Sequence, residues 1–494
     1  MSGTAWALLP PIVAIALALI TKEVYLSLLI GILAGALLFT GFNPLTTVDT
    51  TFTIMGEKIG GNADILIFLV LLGILVALIT KSGASKAYGN WASRAIKSKK
   101  GAQLSTVLLG SLIFVDDYFN CLTVGTVMRP VTDKYKVSRA KLAYIIDATA
   151  APVCIIAPIS SWAAAVGSSL PEGCGIDGFN LFLRTIPFNL YAILTILFMI
   201  YIIVRNIDYG TMRKYEAKIA VEGEETTADQ DMEISGKGKV LDLIIPIAVL
   251  IVFCIAAMLY TGGILEGANI IDAFANCSSA RSLVLGSFFT LVVTFILYLP
   301  RKIITFREFC ASFVEGFKAM TPAIMILCLA WTLSGICSAD YLNIGGFVGS
   351  VVGGSALVGM LLPAIMYAVA NGLAFATGTS WGTFGILIPI AVEVLGTGNI
   401  SMLALTTAAI LAGAVCGDHI SPISDTTILA SAGAQCNHIN HVSNQIPYAM
   451  TVSACCFVGF LAGGIAGNGW IGTLVGLAAL FGVVTIRGKK AKTA

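Results

Sequence analysis

The sequence predicts an all-α integral membrane protein built from two similar halves, each with a re-entrant hairpin and a broken helix. Of its 494 residues, 57% are hydrophobic and 11% are charged, against about 25% charged residues in a typical soluble protein. Apolar runs of about 20 residues recur along the chain, and a helix needs this length to cross a bilayer. Segments of the first half also match segments of the second half in the same order.

The composition excludes several classes of function. The formal net charge is +2, and no cluster of Lys and Arg is interleaved with aromatic residues, so nucleic acid is not an expected partner. The charged fraction is too small for a soluble enzyme, and the sequence has no Walker A loop. We therefore expect no enzymatic activity, no use of ATP and no cofactor. The 12 cysteines form no CxxC pair and lie mostly in apolar segments, where packing is their expected role.

The basic residues predict how the chain crosses the membrane. The apolar run Trp6–Ile20 lacks the pattern of a cleaved signal peptide and is interpreted as a first span with the N-terminus outside. The clusters Lys81–Lys100 and Arg129–Lys141 are both cytoplasmic by the positive-inside rule. Residues 102–128 between them must return to the same side, and each arm reaches only about 20 Å, so they are predicted to form a re-entrant hairpin. Over the whole chain the rule predicts eleven crossings, two hairpins and a cytoplasmic C-terminus.

Matched segments separated by about 260 residues indicate an internal duplication. The pairs are Ser27–Gly31 with Ser282–Gly286, FVDDYFN from Phe114 with FATGTSW from Phe375, Pro158–Ser161 with Pro422–Asp425, and Ile186–Phe188 with Ile446–Tyr448. The predicted organisation is a first repeat over residues 1–205, a cytoplasmic linker over 206–240, a second repeat over 241–467 with its hairpin at 355–393, and an extra helix with a basic cytoplasmic tail over 468–494. Each repeat has five predicted crossings. An odd number inverts the second copy, which is the plan of inverted-repeat secondary transporters. A channel is the alternative, although pores are usually built from rings of like subunits.

Polar residues inside apolar segments concentrate at four places, a hairpin tip and a broken helix in each repeat. The hairpin tips carry Asp116, Asp117, Tyr118 and Asn120 in the first repeat and Thr377 to Gly382 in the second. The broken helices carry Pro158, Ser160, Ser161 and Trp162 in the first repeat, and Asp418, His419 and Ser421 to Thr427 in the second. The inverted symmetry predicts that all four places meet near the middle of the bilayer.

These residue types favour a site for a cation and a proton. Carbonyls freed at a break, Ser and Thr hydroxyls, and carboxylates are the oxygen ligands that a hard cation such as Na⁺ prefers. The predicted Na⁺ ligands are Asp418, Ser421, Ser424, Asp425 and Thr426, helped by Ser160 and Ser161. The predicted proton- or substrate-binding residues are Asp116, Asp117, Asn120, Trp162, Thr379, Ser380 and Trp381. One of the two adjacent aspartates faces the cavity while the other caps the following half-helix, and the sequence leaves open which does which.

The remaining polar residues receive other interpretations. Asp147 lies about two turns into its span and is expected to pair with a basic side chain near the cytoplasm. All three histidines lie between residues 419 and 441, but only His419 is at the break, so no transition-metal site is expected. Trp162 and Trp381 each adjoin a break, which favours a place in the wall of the cavity.

Three motifs resemble the NhaC family of sodium/proton antiporters. They are GDHISPISDTTILAS from Gly417, FATGTSWGTFGILIP from Phe375 and FVDDYFNCLTVGTVMRP from Phe114. The resemblance implies a multi-pass protein of the bacterial inner membrane, with Na⁺ as the coupling ion and an elevator-like movement of a transport part against a scaffold. Elevator carriers are often dimers, so a homodimer is one expected state. The expected function is Na⁺/H⁺ antiport. The alternative is Na⁺- or H⁺-coupled symport or exchange of a small organic solute, such as an amino acid or a carboxylic acid.

Overall fold

Helices make up all the regular structure of the described residues. The computed structural model describes residues 2–493, with gaps at 22, 172–173, 223–236, 271–272, 274–276, 339, 344–346, 348–355, 397 and 423. The first half contains α1 (Leu9–Thr21), α2 (Val24–Phe39), α3 (Pro44–Gly61), α4 (Ala63–Ser82), α5 (Ala84–Ala95), α6 (Lys99–Leu112), α7 (Asp117–Lys134), α8 (Arg139–Thr149), α9 (Ala151–Cys154), α10 (Ser161–Ser168), α11 (Gly178–Thr185), α12 (Leu190–Arg205) and α13 (Gly210–Glu222). The second half contains α14 (Leu241–Thr261), α15 (Ser279–Tyr298), α16 (Phe306–Cys337), α17 (Ala356–Thr377), α18 (Ser380–Leu395), α19 (Ile400–Ile420), α20 (Asp425–Ala434), α21 (His438–Ala466) and α22 (Gly469–Thr493).

Many of these helices are suited to a lipid environment. Within the described ranges, six are long and apolar enough to cross a bilayer, or up to nine spans are counted if each bent pair of helices is taken as one. Large apolar side chains such as Phe288, Ile296 and Phe481 are more than half exposed on their outer faces, where lipid would cover them. The chain is therefore a multi-pass membrane protein. The eleven crossings and the orientation of the termini stay predictions.

The helices form two groups. In the first group, α4 packs against α15 and α16, and α2 packs against α1 and α16. In the second group, α17 packs against α19 and α21, and α20 packs against α7 and α8. The groups meet where α16 lies beside α18, where α1 lies beside α17 and where α4 lies beside α10. The second group contains both predicted hairpins and both predicted broken helices.

Each predicted hairpin consists of two helices joined by a short turn. In the first, α6 ends at Leu112 and α7 begins at Asp117, and in the second, α17 ends at Thr377 and α18 begins at Ser380. α7 continues past residue 128, the predicted end of the first hairpin, to Lys134 with Pro130 inside it, and the predicted bound itself stays a prediction. This bound is placed from the basic residues, which indicate the edge of the membrane, and a helix can continue from the membrane into water. Residue 355, the predicted start of the second hairpin, lies outside the described residues.

Both broken helices are interrupted as predicted from their Pro and Ser residues. In the first, α8 is followed by the single turn α9, which ends at Cys154, and α10 begins at Ser161. In the second, α19 ends at Ile420 and α20 begins at Asp425. Proline removes a backbone donor and the serines offer side-chain oxygens to the freed groups, so the helix stops and restarts within a few residues.

Glycines bring the helices of the second group into backbone contact. A Cβ atom on Gly125 of α7 would lie only 2.4 Å from the carbonyl carbon of Gly433 in α20. A Cβ atom on Gly417 of α19 would lie 2.1 Å from the carbonyl oxygen of Asn371 in α17. Both distances are far below van der Waals contact, so these crossings require glycine. The first hairpin is thereby held against the second broken helix.

Candidate functional site

The turn of the first hairpin is bound to the first broken helix. The backbone N–H of Ser161 donates to the carbonyl of Val115 over 2.9 Å. The side-chain amide of Asn120 donates to the carbonyls of Gly110 at 2.7 Å, Ile113 at 2.9 Å and Thr149 at 3.2 Å. Asn120 therefore satisfies the last carbonyls of α6 and α8 at once, which closes the hairpin and fixes it to the break.

The second hairpin is bound to the second broken helix through a buried carboxylate. The hydroxyl of Ser380 donates to Oδ2 of Asp418 over 2.7 Å and lies 3.2 Å from the carbonyl oxygen of Ala414. Ser380 and Asp418 are 1% and 3% exposed, so the hydrogen bond is made away from water. A hydrogen bond to a buried carboxylate is among the stronger ones in proteins. It sets the orientation of the Asp418 side chain at the end of α19.

Aromatic rings join the two halves at this place. The rings of Trp162 and Trp381 meet edge to face, with centroids 5.9 Å apart and planes at 74°. Phe384 lies one turn further along α18, and the centroid of its ring is 5.8 Å from that of Trp162 and 6.1 Å from that of Trp381. The first broken helix therefore packs on the second hairpin, just as the second broken helix packs on the first hairpin. The two repeats contact each other reciprocally.

The predicted site residues are almost fully removed from solvent. The side chains that are 6% exposed or less are those of Asp116, Asp117, Asn120, Ser160, Ser161, Trp162, Thr379, Ser380, Trp381, Asp418, Ser421, Ser424 and Thr426. The side chain of Asp425 lies outside the described part of the chain. Buried carboxylates and hydroxyls at this density are costly unless they are paired with one another or with a ligand.

Three of the predicted site residues cap the helices that restart after the interruptions. The side-chain hydroxyl of each accepts a hydrogen bond from the backbone N–H three residues later, over 3.1 to 3.3 Å. The pairs are Ser160 with Ala163, Thr379 with Gly382, and Ser424 with Thr427. These are N-cap interactions, which satisfy N–H groups that have no partner inside the helix.

Asp116 lies just before α7, and its carbonyl accepts from Asn120 over 3.0 Å. This places Asp116 at the N-cap position and Asp117 in the first turn of α7. A helix N-terminus carries a partial positive charge, which stabilises carboxylates in this position.

Several buried polar atoms at the site have no hydrogen-bond partner among the described residues. They are Oγ of Ser161, Oδ1 of Asn120, and the indole Nε1 of Trp162 and of Trp381. Two of these are oxygens that can accept from a proton donor or coordinate a cation, and two are donors. A buried polar atom without a partner costs about 1 to 3 kcal/mol, so the arrangement favours a bound ion, solute or water.

A second polar cluster, centred on Asp147, was not predicted from the sequence. Oδ2 of Asp147 accepts from the Thr427 hydroxyl at 3.0 Å and from the Gln445 amide at 2.9 Å, and it lies 3.3 Å from Nε2 of His441. Oδ1 lies 3.4 Å from Nε2 of His419. Asp147 therefore has basic partners, as expected, but they are two buried histidines and not a side chain at the cytoplasmic surface. The carboxylate is fully buried and connects the first broken helix to the second and to α21.

The misplacement of Asp147 has a clear physical reason. Lys141, which marked the cytoplasmic boundary in the sequence, is itself only 2% exposed and forms an ion pair with Asp208. The hydroxyl of Tyr448 also donates to Asp208, over 2.6 Å. The interior of the protein thus begins before Lys141, and Asp147 lies deeper than the charge pattern indicated. Intramembrane His, Gln and Asp residues generally pair with one another, which was the available signal.

Two of the three histidines belong to the Asp147 cluster, and the third lies at the second break. His441 is fully buried in the Asp147 cluster, and His419 also lies 3.1 Å from the hydroxyl of Tyr191. Nε2 of His438 lies 2.7 Å from the carbonyl oxygen of Pro422, and Nδ1 lies 3.1 Å from the Ser431 hydroxyl. His438 therefore contacts the backbone at the interruption of the second broken helix.

Comparison with known proteins places the chain in a family. A family model described as the Na⁺/H⁺ antiporter family matches residues 164–465. An uncharacterized protein of Haemophilus influenzae is 38% identical over 492 residues, which are 95% of this chain and 93% of that protein. The malate-2H(+)/Na(+)-lactate antiporter of Bacillus subtilis is 30% identical over 212 residues, 37% of this chain and 43% of that protein. Among solved structures, the YdaH transporter of Alcanivorax borkumensis has a TM-score of 0.56 at 14% identity, over 88% of this chain and 89% of that chain, so the likeness is one of fold. The chain belongs to the Na⁺/H⁺ antiporter family.

Proposed function

We propose that the protein exchanges Na⁺ for protons, with Na⁺ held at the second break. The supporting observation is the buried carboxylate of Asp418, oriented by Ser380 and followed directly by the hydroxyl-rich segment from Ser421. Within that segment the hydroxyls of Ser424 and Thr426 lie 3.0 Å apart. Carboxylate, hydroxyl and unwound carbonyl oxygens form a ligand set for a small hard cation. Asp425 belongs to the same proposed set.

The first hairpin and first break complete the proposed site. The hydroxyl oxygen of Ser161 lacks a partner among the described groups and lies on the helix that carries Trp162. Asp117 supplies a second buried carboxylate within the same packed group of helices. In the proposed site, where both carboxylates lie near the bound cation, binding of a proton and binding of Na⁺ oppose each other, because each neutralises the same negative charge. This competition is the minimum that an exchanger needs.

The arrangement of helices supports an elevator-like movement. All the proposed ligands belong to the second group of helices, which contacts the first group mainly along α16 and α18. A group that carries the whole site can move against the other group without losing its ligands. The proposed orientation in the bacterial inner membrane has the N-terminus outside and the C-terminus in the cytoplasm, as the basic residues predict.

An organic solute is the second candidate cargo. The indole N–H groups of Trp162 and Trp381 are buried donors without acceptors among the described residues, and a bare cation would not use them. A carboxylate on an organic solute would accept hydrogen bonds from these N–H groups. The relative from Bacillus subtilis, a malate-2H(+)/Na(+)-lactate antiporter, exchanges organic acids, which supports this candidate for the present chain.

Flux measurements in proteoliposomes test the proposal. A pH gradient across vesicles that contain the purified protein is expected to drive uptake of radioactive Na⁺, and an outward Na⁺ gradient is expected to drive proton movement. The variants Asp117→Asn and Asp425→Asn should insert normally and lose this coupled flux. Asp64→Asn is a matched control, because Asp64 pairs with Arg281 at the surface.

Three results would contradict the proposal. One is full coupled flux in both aspartate variants, and another is Na⁺ conductance that persists without any coupling to protons, as a channel would give. The third is movement of Na⁺ that requires an organic solute on one side, which would favour the second candidate. A panel of labelled amino acids and carboxylic acids, tested with and without a Na⁺ gradient, separates these cases.

A further inference from the structure

A cavity of about 400 Å³ lies outside the site described above. It opens where α10 and α18 end, and the C-terminal ends of α3 and α16 form its other wall. No proposed Na⁺ or proton ligand lines it. Its volume lies in the range of about 300 to 1,000 Å³ that small-molecule sites occupy. The cavity therefore lies between the two groups of helices and has room for a solute larger than an ion.

The cavity presents charges of both signs. Lys58 of α3 contributes an ammonium group, while Glu393 of α18 and Asp340 contribute carboxylates. Lys58 and Glu393 are half-buried, so their charges are only partly screened by water, whereas Asp340 is exposed. A simple anion would meet two carboxylates here, and a simple cation would meet the ammonium group. A molecule that carries both charges can be matched to both.

Trp331 gives an independent sign of a ligand. Its indole ring lines the cavity and is 4% exposed, and Nε1 has no acceptor among the described residues. A buried donor of this kind is normally satisfied by a protein oxygen, a ligand oxygen or water. A ligand carboxylate that accepts from Trp331 would also be attracted by the ammonium group of Lys58, which lines the same cavity.

A second cavity lies beside the first, on the side towards the proposed Na⁺ site. This smaller cavity shares Glu393 and Ser334 with the first and extends along α18 to Gly385. Gly385 lies one helical turn after Trp381, and Ser380 at the start of the same helix holds Asp418. The larger cavity and the proposed ion site therefore lie at opposite ends of one helix.

We propose that this cavity binds an amino acid as a zwitterion, with its carboxylate at Lys58 and Trp331 and its ammonium group at Glu393. The role of this site in loading an organic cargo rests on the proposed transport function. The binding of the amino acid itself does not depend on that function. Glu393 selects against acids that lack an ammonium group, and Lys58 selects against amines that lack a carboxylate. The chain would then exchange an amino acid in addition to an ion.

Equilibrium binding to the full-length protein tests this proposal without any gradient. The protein in lipid nanodiscs is titrated with each of the twenty L-amino acids while tryptophan fluorescence is recorded. At least one amino acid is expected to give a saturable change, whereas its deaminated acid and its decarboxylated amine bind at least tenfold more weakly. Lys58→Gln and Glu393→Gln should each weaken binding about tenfold or more. Trp331→Phe should remove most of the signal, while radioligand binding persists with lower affinity.

Controls distinguish this proposal from the proposed ion exchange. Arg281→Gln changes an exposed basic residue outside the cavity and should bind like the wild type. Thermal unfolding of every variant identifies those that are misfolded, and Glu393→Asp, which keeps the charge, should retain measurable binding. The proposal is overturned if no amino acid binds, if the deaminated acid binds equally well, or if the Lys58 and Glu393 variants bind normally. Coupled Na⁺/H⁺ flux that is intact in such a case would leave the ion-exchange proposal standing.

Discussion

Adding one methyl group at Gly125 should force the first hairpin away from the second broken helix. The new Cβ would lie 2.4 Å from the carbonyl carbon and 2.6 Å from the Cα of Gly433, about 1 Å short of ordinary contact. The opposing atoms are backbone, so no side chain can rotate away. Overpacking of this kind costs about 1 to 3 kcal/mol, and the upper end applies to a rigid backbone contact. The better helix propensity of Ala returns about 1 kcal/mol, which leaves Gly125→Ala less stable by about 2 kcal/mol.

The assay compares unfolding and flux for Gly125→Ala and Gly372→Ala. Gly372 also lies within a helix, but a Cβ atom there would meet no heavy atom within 4 Å. Gly372→Ala should therefore be neutral or more stable by up to about 1 kcal/mol. Gly125→Ala should unfold at lower denaturant concentration and lose most coupled flux, because α7 carries Asp117 and α20 begins at Asp425. Equal stability and equal flux in the two variants would refute the close packing of α7 on α20.

Three further substitutions test other contacts. Asp147→Asn removes the charge that joins the two broken helices and should lower the free energy of unfolding by about 3 kcal/mol, measured by chemical denaturation. Ser380→Ala removes the hydroxyl that holds Asp418 and should raise the KM for Na⁺ about tenfold or more, since such a bond contributes about 1.5 to 3 kcal/mol. Asp208→Asn leaves the buried ammonium of Lys141 without its carboxylate and should cost about 3 to 5 kcal/mol of stability.

The Asp208 pair also predicts a dependence of stability on pH. Burial opposes ionisation of Asp208, but Lys141 and the Tyr448 hydroxyl outweigh it and hold the pKa of that carboxyl below its ordinary value. A pKa that is lower in the folded state means that the pair stabilises the fold above the unfolded pKa of about 3.9, and that this contribution is lost as the pH falls through the folded value. Wild type and Asp208→Asn should therefore converge in stability only under strongly acidic conditions.

Two further variants, Asp64→Asn and Thr485→Ala, are matched controls for these substitutions. Asp64→Asn breaks an exposed pair with Arg281 and should change stability by no more than about 1 kcal/mol. Thr485→Ala removes an exposed hydroxyl on α22 and should leave the KM for Na⁺ unchanged. Wild-type stability of Asp147→Asn would mean that its carboxylate does not connect the helices. A wild-type KM in Ser380→Ala would separate Asp418 from Na⁺ binding, and parallel pH curves for wild type and Asp208→Asn would remove the ion pair from the account.

The sequence predicted the irregular elements well because their causes are local. Pro, Gly, Ser and Thr interrupt a helix wherever they occur together, so the turn before Ser380 and the breaks before Ser161 and Asp425 follow from the residues themselves. The end of α7 at Lys134 did not follow, because the charge pattern around Arg129 indicates the edge of the membrane and not the end of a helix.

The Asp147 cluster could not be predicted from the same signals. Thr427 and Gln445 lie 280 and 298 residues from Asp147 in the sequence, and only the packing of the two halves brings them together. Lys141 looked like a surface residue because lysines usually are, and its burial against Asp208 depends on contacts that a single sequence does not reveal. The cavity at Lys58 and Trp331 was missed for the same reason, since its walls come from distant helices.

Equilibrium binding of radioactive Na⁺ to the purified protein tests the central proposal most directly. The wild type is expected to bind Na⁺ saturably, with an affinity that falls as the pH is lowered, because protons compete for the same carboxylates. Asp418→Asn is expected to lose this binding, while Asp64→Asn keeps it. Undiminished Na⁺ binding by a well-folded Asp418→Asn protein would contradict the proposed site and the exchange mechanism built on it.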